Sequence, residues 1–348
     1  MSPRERVQAL IAAAADVARP DTPLGVKARA AWVSTTGLSP EGIELAIEHC
    51  LETHPSEAEI EQLLASVQPA KRALVLLSAN VFVGASRALA LALASSEHVM
   101  VRVSRRDPVL ARVLLEACPG LFELTDELAP KAEDVFWAYG KKETLRTVRA
   151  KLPAGVHFIG HGPGAGAALV ELPEASPEVL IAQAKNLVLD TVLFEQRGCL
   201  SPRAFLVTGS KGAAEEFTQC VVSELTRMGG EVPRGELARE EEAELVRFRD
   251  TMAYVGRVMD TKAGLVAFSE STSLSSITPV GRAIHIQHLA DPILPLARIG
   301  HVLTNIGFFG SDVTKAELLR ALPHVRIAPL GQMQSPPFDG PVDRRPHL

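Results

Sequence analysis

Aromatic side chains are scarce: Phe, Trp and Tyr make up 5% of the 348 residues, too few for a base-stacking surface. Basic charge is not in excess either. Against 41 Asp and Glu there are 36 Lys and Arg, a net charge of −5, so no electropositive face advertises nucleic acid. The four cysteines, Cys50, Cys118, Cys199 and Cys220, lie far apart with no CxxC pair. That spacing suggests neither a zinc ribbon nor a disulfide framework. No apolar run reaches membrane-spanning length, so no membrane span is expected. The opening Met-Ser-Pro-Arg-Glu-Arg lacks the charged, apolar, small-residue layout of a secretory signal. A cytoplasmic globular protein, long enough for two domains, is the expectation.

Several catalytic signatures are also missing. His157 and His161 are four apart, but no HExxH pattern joins them and the stretch is glycine-rich. His285 and His288 lack a third ligand, so no metal site is expected. There is no GxSxG elbow of a serine hydrolase. Gly209-Ser-Lys-Gly212 misses the glycine–lysine spacing of a phosphate-binding P-loop. Gly160–Gly166 partly fits GxGxxG, yet a dinucleotide fingerprint opens a helix, and the following Ala167–Leu172 reads as a strand. A glycine-rich crossing between domains is the better reading.

Regular alternation is present. Residues 1–67 read as amphipathic helices, with Val7, Leu10, Ile11, Ala14 and Val17 at helical spacing and Ser39-Pro40 as a capped start. From Ala73 the texture changes to apolar runs typical of strands buried on both faces. Strands are predicted at 73–78, 99–103, 134–139 and 156–159, separated by helical segments. Such alternation indicates a parallel sheet, which binds ligands at the carboxyl ends of its strands. Asn80, Arg102, Ser104 and Gly140 fall there. Further strands are predicted at 204–208, 265–269, 283–287 and 325–328, and helices at 213–227 and 315–322. The tail Met333-Gln-Ser-Pro-Pro-Phe-Asp-Gly-Pro is too proline-rich for regular structure and is expected to wrap on a surface.

The stretch Asp190–Pro202 organises the rest. A helix-like run from Glu178 ends near Phe194, Gln196-Arg197-Gly198 breaks the pattern, and Cys199 follows. A free cysteine there is either a small buried hydrophobe or an accessible thiol, and its surroundings decide which. Covalent catalysis needs an exposed thiolate and donors for the oxyanion it creates. The Cys199 amide is one natural donor, and the Asn80 side chain fits as a second. An adjacent nucleotide-binding sheet would supply hydride, so oxidation or reduction through a thioester is the chemistry these residues suggest.

Five stretches then carry a resemblance: Leu76-Leu-Ser-Ala-Asn80, Val99–Pro108, Val135-Phe-Trp-Ala-Tyr-Gly140, Gln196-Arg-Gly-Cys-Leu-Ser-Pro202, and Arg326-Ile-Ala-Pro-Leu-Gly-Gln-Met333 with Pro336-Pro337. In order and spacing they resemble the aldehyde dehydrogenase superfamily and, within it, the LuxC-type acyl-CoA reductases. The resemblance covers roughly residues 70–348. It implies an α/β fold of two parallel-sheet domains behind a helical N-terminal leader. The expected divisions are a leader over 1–67, a nucleotide-binding domain over 68–172, a catalytic domain with Cys199 over 173–315, and a C-terminal return over 316–348.

By the same resemblance Cys199 is the nucleophile and Asn80 the oxyanion amide. Arg102 stands where the family has a lysine against the cofactor ribose, and Ser104 and Gly140 lie along the nucleotide. Gly340-Pro-Val-Asp343 stands where the family has a tryptophan-histidine-aspartate-glycine pattern. Hydrolytic aldehyde dehydrogenases need a glutamate base near positions 158–162, and no carboxylate is there. The implied reaction is NAD(P)H-dependent reduction of an acyl-CoA or acyl-carrier thioester to an aldehyde. NADPH is preferred over NADH because Arg102, Arg105 and Arg106 could meet a 2′-phosphate, the alternative being that two of them are simply solvated. An acyl-activating synthetase or acyltransferase partner and a homo-oligomer are the expected associations. An NAD(P)-dependent aldehyde dehydrogenase, or a catalytically silent subunit or scaffold, is the alternative.

Overall fold

The computed structural model describes residues 1–172, 176–270 and 277–346. The chain divides into two compact units, Met1–Pro163 with Pro337–Leu348, and Gly164–Pro336.

The first unit opens with four helices, α1 (Pro3–Ala18), α2 (Pro23–Thr36), α3 (Pro40–Cys50) and α4 (Glu57–Ala65). Each starts on a capping hydroxyl, from Ser2, Thr22, Ser39 and Ser56, and three have proline in the first turn. Those side chains satisfy amides that a helix start leaves open. Then come β1 (Ala73–Leu76), α5 (Gly84–Ser95), β2 (Val99–Arg102), α6 (Val109–Ala117) and β3 (Glu123–Leu124). The unit's regular structure ends with β4 (Val135–Tyr139), α7 (Lys142–Ala150) and β5 (His157–His161). The five strands form a parallel sheet ordered β3-β2-β1-β4-β5. Helix α5 alternates Ala and Leu over residues 88–94 and is buried on every side from Ser86 onward. Such a helix belongs in a core rather than on a surface. Helix α1 packs against it, so the N-terminal helices are part of this unit's core.

The second unit runs β6 (Ala165–Leu172), α8 (Pro177–Val192), a 3-10 turn (Leu193–Gln196), β7 (Pro202–Gly209) and α9 (Lys211–Glu231). It continues through α10 (Arg239–Val255), β8 (Arg257–Asp260), β9 (Leu265–Glu270) and β10 (Ala283–His288). It closes with α11 (Ile293–Arg298), β11 (Leu303–Phe309), α12 (Asp312–Ala321) and β12 (Arg326–Pro329). Seven strands lie in the order β12-β11-β6-β7-β10-β9-β8. Every pairing is parallel except the edge pair β8–β9. One face of the sheet packs Ala167, Leu169, Leu206, Leu303 and Ile306 against Leu296, Leu318 and Leu322 of the covering helices.

Three features differ from the sequence reading. The expected division after residue 172 falls instead between Pro163 and Gly164, because β6 hydrogen-bonds to β7 and β11 of the second sheet. The sequence does not show the short strands β3 and β8: β3 has two residues, and β8 is an edge strand with a charged residue at each end and no buried apolar run. The proline-rich tail is not merely wrapped on a surface, since Met333, Gln334 and Phe338 are buried. Met333 fills a slot left by two glycines, where a Cβ on Gly166 or Gly307 would come within 2.6 Å or 2.5 Å of its atoms.

Candidate active site

In the first unit the sheet order reverses direction between β1 and β4. Open parallel sheets bind ligands outside the carboxyl ends of their strands at such a switch point. Asn80 follows β1, Arg102 ends β2 with Ser104 and Arg105 just after it, and Gly140 follows β4. The sequence-predicted residues therefore gather at one edge of one sheet. Asn80, Arg102 and Arg105 are exposed, and Ser104 and Gly140 are half-buried.

Asn80 accepts a bond through Oδ1 from Arg106 Nη2 at 3.2 Å. A guanidinium only donates, so the contact occupies the Asn80 oxygen and leaves its NH2 group as the donor. One of the three arginines read as cofactor contacts is thus engaged with Asn80. The Ser104 hydroxyl accepts from the Arg106 amide at 3.2 Å, tightening the turn after β2. The Gly140 amide donates to the carbonyl of His161 at 3.2 Å. A Cβ on Gly140 would meet only Thr144, at an ordinary 3.8 Å, so packing within the protein does not require glycine there.

In the second unit Cys199 lies ahead of the amino end of β7, half-exposed on the Gly198–Ser201 turn. That turn closes with the Ser201 amide on the Gly198 carbonyl at 3.1 Å. The fully buried Thr304 hydroxyl donates to the Cys199 carbonyl at 2.5 Å. The Gly166 amide holds the Ser201 carbonyl at 2.8 Å. A Cβ on Gly166 would sit 2.6 Å from the Leu200 carbonyl, so only glycine lets β6 approach the thiol's loop this closely.

The backbone upstream is unusual. Phe194, Glu195 and Gln196 have φ of 57°, 53° and 61°, three successive non-glycine residues in the left-handed region. Side chains from elsewhere hold them. The Glu195 carboxylate takes two bonds of 2.8 Å from Arg282 and one of 3.1 Å from the Gly235 amide. The Gln196 amide bridges the Pro202 and Ala283 carbonyls and accepts from the Ala283 amide at 2.7 Å. Arg197 forks onto Glu241 at 3.0 and 2.8 Å.

The tail also reaches this loop. Asp190 is fully buried and accepts from the Gly331 and Met333 amides at 2.6 and 3.0 Å. Burial raises its carboxyl to about 7, against the pull of those amides. Gln334 donates to the Ser201 hydroxyl at 2.8 Å, two residues from the thiol. Elsewhere in this unit, His285 is buried with Nε2 2.7 Å from the Ser269 hydroxyl, and burial lowers it to about 4.

Sequence reasoning missed Thr304, Gln196, Arg282, Asp190 and Gln334 as groups that hold the backbone on either side of Cys199. One signal was available: Asp190 is an acid inside the largely apolar run 187–194, and Glu195 ends that run. Buried acids need partners, but nothing local in the sequence names them. Among the described residues, no group of three His, Cys, Asp or Glu gathers to hold a metal, and no helix is long and apolar enough to cross a membrane.

The model of the acyl-CoA reductase (LuxC) family matches residues 44–341. No curated protein sequence matches the chain. Solved structures of similar fold include a salicylaldehyde dehydrogenase from Pseudomonas putida G7, with a TM-score of 0.66 and 15% identity over 96% of this chain and 78% of that one. An oxidoreductase from Marinobacter aquaeolei superposes with a TM-score of 0.70 at 11% identity, over 97% of this chain and 79% of its own. An NAD-dependent benzaldehyde dehydrogenase from Corynebacterium glutamicum gives 0.65 at 14% identity, over 94% and 80%. The fold is therefore aldehyde dehydrogenase-like, as the sequence motifs implied.

Proposed function

The chain belongs to the LuxC family of acyl-CoA reductases, and on that footing we propose that it reduces an acyl-CoA or acyl-carrier thioester to an aldehyde through an acyl-cysteine. The observation that carries this reading is Cys199, half-exposed at the tip of a turn that buried side chains hold from several directions. A structural cysteine has no need of such a setting, whereas a nucleophile must meet a carbonyl in one geometry.

The Cys199 thiolate attacks the thioester carbonyl, and the new carbon–sulfur bond forms as the carbonyl electrons move onto oxygen. The Cys199 amide is the donor its own turn offers to that oxyanion, and the family resemblance assigns the Asn80 NH2 group as a second; each such donor is worth about 10²–10³ in rate. Collapse expels the carrier thiolate and leaves the acyl-cysteine. When bound, a reduced nicotinamide would supply the hydride equivalent that takes the acyl group to the aldehyde level; Cys199 then leaves the acyl carbon as thiolate. The net change is acyl thioester, reduced nicotinamide and a proton to aldehyde, carrier thiol and oxidised nicotinamide. Gly140, after β4 at the switch point of the first sheet, and Ser104, after the neighbouring β2, suit the nucleotide, and the NAD dependence of the benzaldehyde dehydrogenase of like fold supports a nicotinamide. Arg102 and Arg105, exposed at and just past the end of β2, favour a 2′-phosphate and hence NADPH.

Mass spectrometry after mixing the protein with acyl-CoA and no cofactor tests the reading. The expected result is one acyl group on Cys199 with release of free CoA. An unmodified Cys199 across chain lengths, in protein whose thiol still reacts with iodoacetamide, would overturn it. Conversion of aldehyde to free acid without CoA would point to the dehydrogenase alternative.

A further inference from the structure

We propose that Glu195 and Arg282 are positioning residues for Cys199, a buried ion pair that locks the left-handed turn from which the thiol is presented. The proposal rests on Cys199 being the nucleophile. Both side chains are almost wholly enclosed, at 1% and 0% exposure, and they meet through two bonds of 2.8 Å. Their remaining capacity is used. Arg282 donates to the carbonyls of Val232 and Pro233 at 2.8 and 3.3 Å, and Glu195 accepts from Gly235.

Stability alone does not account for this arrangement, because buried ion pairs are often replaced by apolar groups without loss. Ending helix α8 does not account for it either. Leu193 already closes the helix with its amide on the Leu189 carbonyl, and one left-handed residue usually suffices after that. Three in a row persist only where the surroundings over-determine them. Arg282 is itself left-handed, at φ 66°, beside Gly281 at 92°. The pair therefore joins two left-handed segments, 194–196 and 281–282. A bond of 2.9 Å from the Gly281 amide to the Glu195 carbonyl reinforces the junction. Glu195 lies four residues before Cys199, so the pair acts through the intervening backbone rather than on the reacting carbonyl.

The test compares Glu195→Gln, Arg282→Lys and the apolar double variant Glu195→Met with Arg282→Leu. Melting temperature, kcat, KM and the pH profile of Cys199 alkylation by iodoacetamide are read for each. Glu195→Gln leaves a buried cation unpaired and should melt earlier. The double variant removes both charges and should recover most of the melting temperature. Its kcat should nonetheless stay at least roughly tenfold down, as small misplacements of reacting groups cost that much or more. KM should hold within about twofold, because a positioning group adds little to ground-state binding. The alkylation profile should be displaced. A double variant matching the wild type in melting temperature, kcat and alkylation profile overturns the proposal. Should it not fold, an unchanged kcat and profile in Arg282→Lys does the same, since a lysine cannot reproduce the fork. Alkylation is independent of acyl transfer. A wild type that never forms acyl-cysteine sinks the functional reading, while the effect of the pair on the thiol is still read from labelling.

Discussion

In the first unit the candidate groups follow the carboxyl ends of parallel strands and stand largely in solvent, held by single bonds such as that from Arg106 to Asn80. In the second, the thiol precedes the amino end of β7, on a loop tied by Thr304, Gly166 and Gln334 and fed by a turn locked from the core. Three left-handed residues there are costly, about 1–3 kcal/mol each. The difference follows from the work proposed for each. A cofactor enters and leaves at every turnover, so its contacts suit exposed, adjustable side chains. A covalent nucleophile stays in place, and its aim is worth buried bonds and backbone strain.

Removing the aimed group should have the largest effect. Cys199→Ala is expected to lower turnover by roughly 10³-fold or more while leaving the fold intact, as loss of a covalent nucleophile does. Reductase assays beside thermal melts check both halves. Asn80→Ala should follow, with kcat down roughly 10²–10³-fold. A drop confined to KM would remove Asn80 from the oxyanion role and make the first unit purely a binding surface. Next in size, Arg102→Ala with Arg105→Ala should raise KM for NADPH roughly tenfold, as lost charge-assisted bonds do, with little change for NADH. Equal losses for both cofactors would show that these arginines do not read a 2′-phosphate.

The smallest effect is a pH slope in the second unit. Asp190 has its folded pKa raised to about 7 from 3.8, so its contribution is full below about 4 and is lost as pH rises toward 7. His285 has its folded pKa lowered to about 4 from 6.5, so its contribution is full above 6.5 and is lost as pH falls toward 4. Between about pH 4 and 6.5 the two oppose each other. Asp190→Asn should leave stability rising with pH across that window, and His285→Gln should leave it falling. Denaturant midpoints measured from pH 4 to 7 decide; parallel slopes in the two variants would contradict both assignments.

Much of the fold was legible because its signals are local. The Ser39-Pro40 cap announces α3, and the apolar run at 73–78 reads as a strand buried on both faces, observed as β1 over Ala73–Leu76. Strand alternation over 73–159 implies a parallel sheet, and the carboxyl-end rule points to Asn80, Arg102, Ser104 and Gly140 from the sequence alone. The glycine-rich crossing at 160–166 contains the division between units, at Pro163–Gly164. What stayed hidden is non-local. Phe194, Glu195 and Gln196 are not residues that favour the left-handed region, so their sequence suggests no such turn. Their conformation is imposed by Arg282, 87 positions downstream of Glu195. The burial of Met333 depends on space left by Gly166 and Gly307, which no pattern within the tail encodes.

The amino-acid order by itself determined most helices and strands, the parallel character of the first sheet and a thiol placed just past a helix, since capping, hydrophobic period and turn chemistry act over a few residues. Only the tertiary structure decided how that thiol is held. Burying an acid, a guanidinium and three left-handed residues together is tolerable only where distant segments supply every missing partner at once.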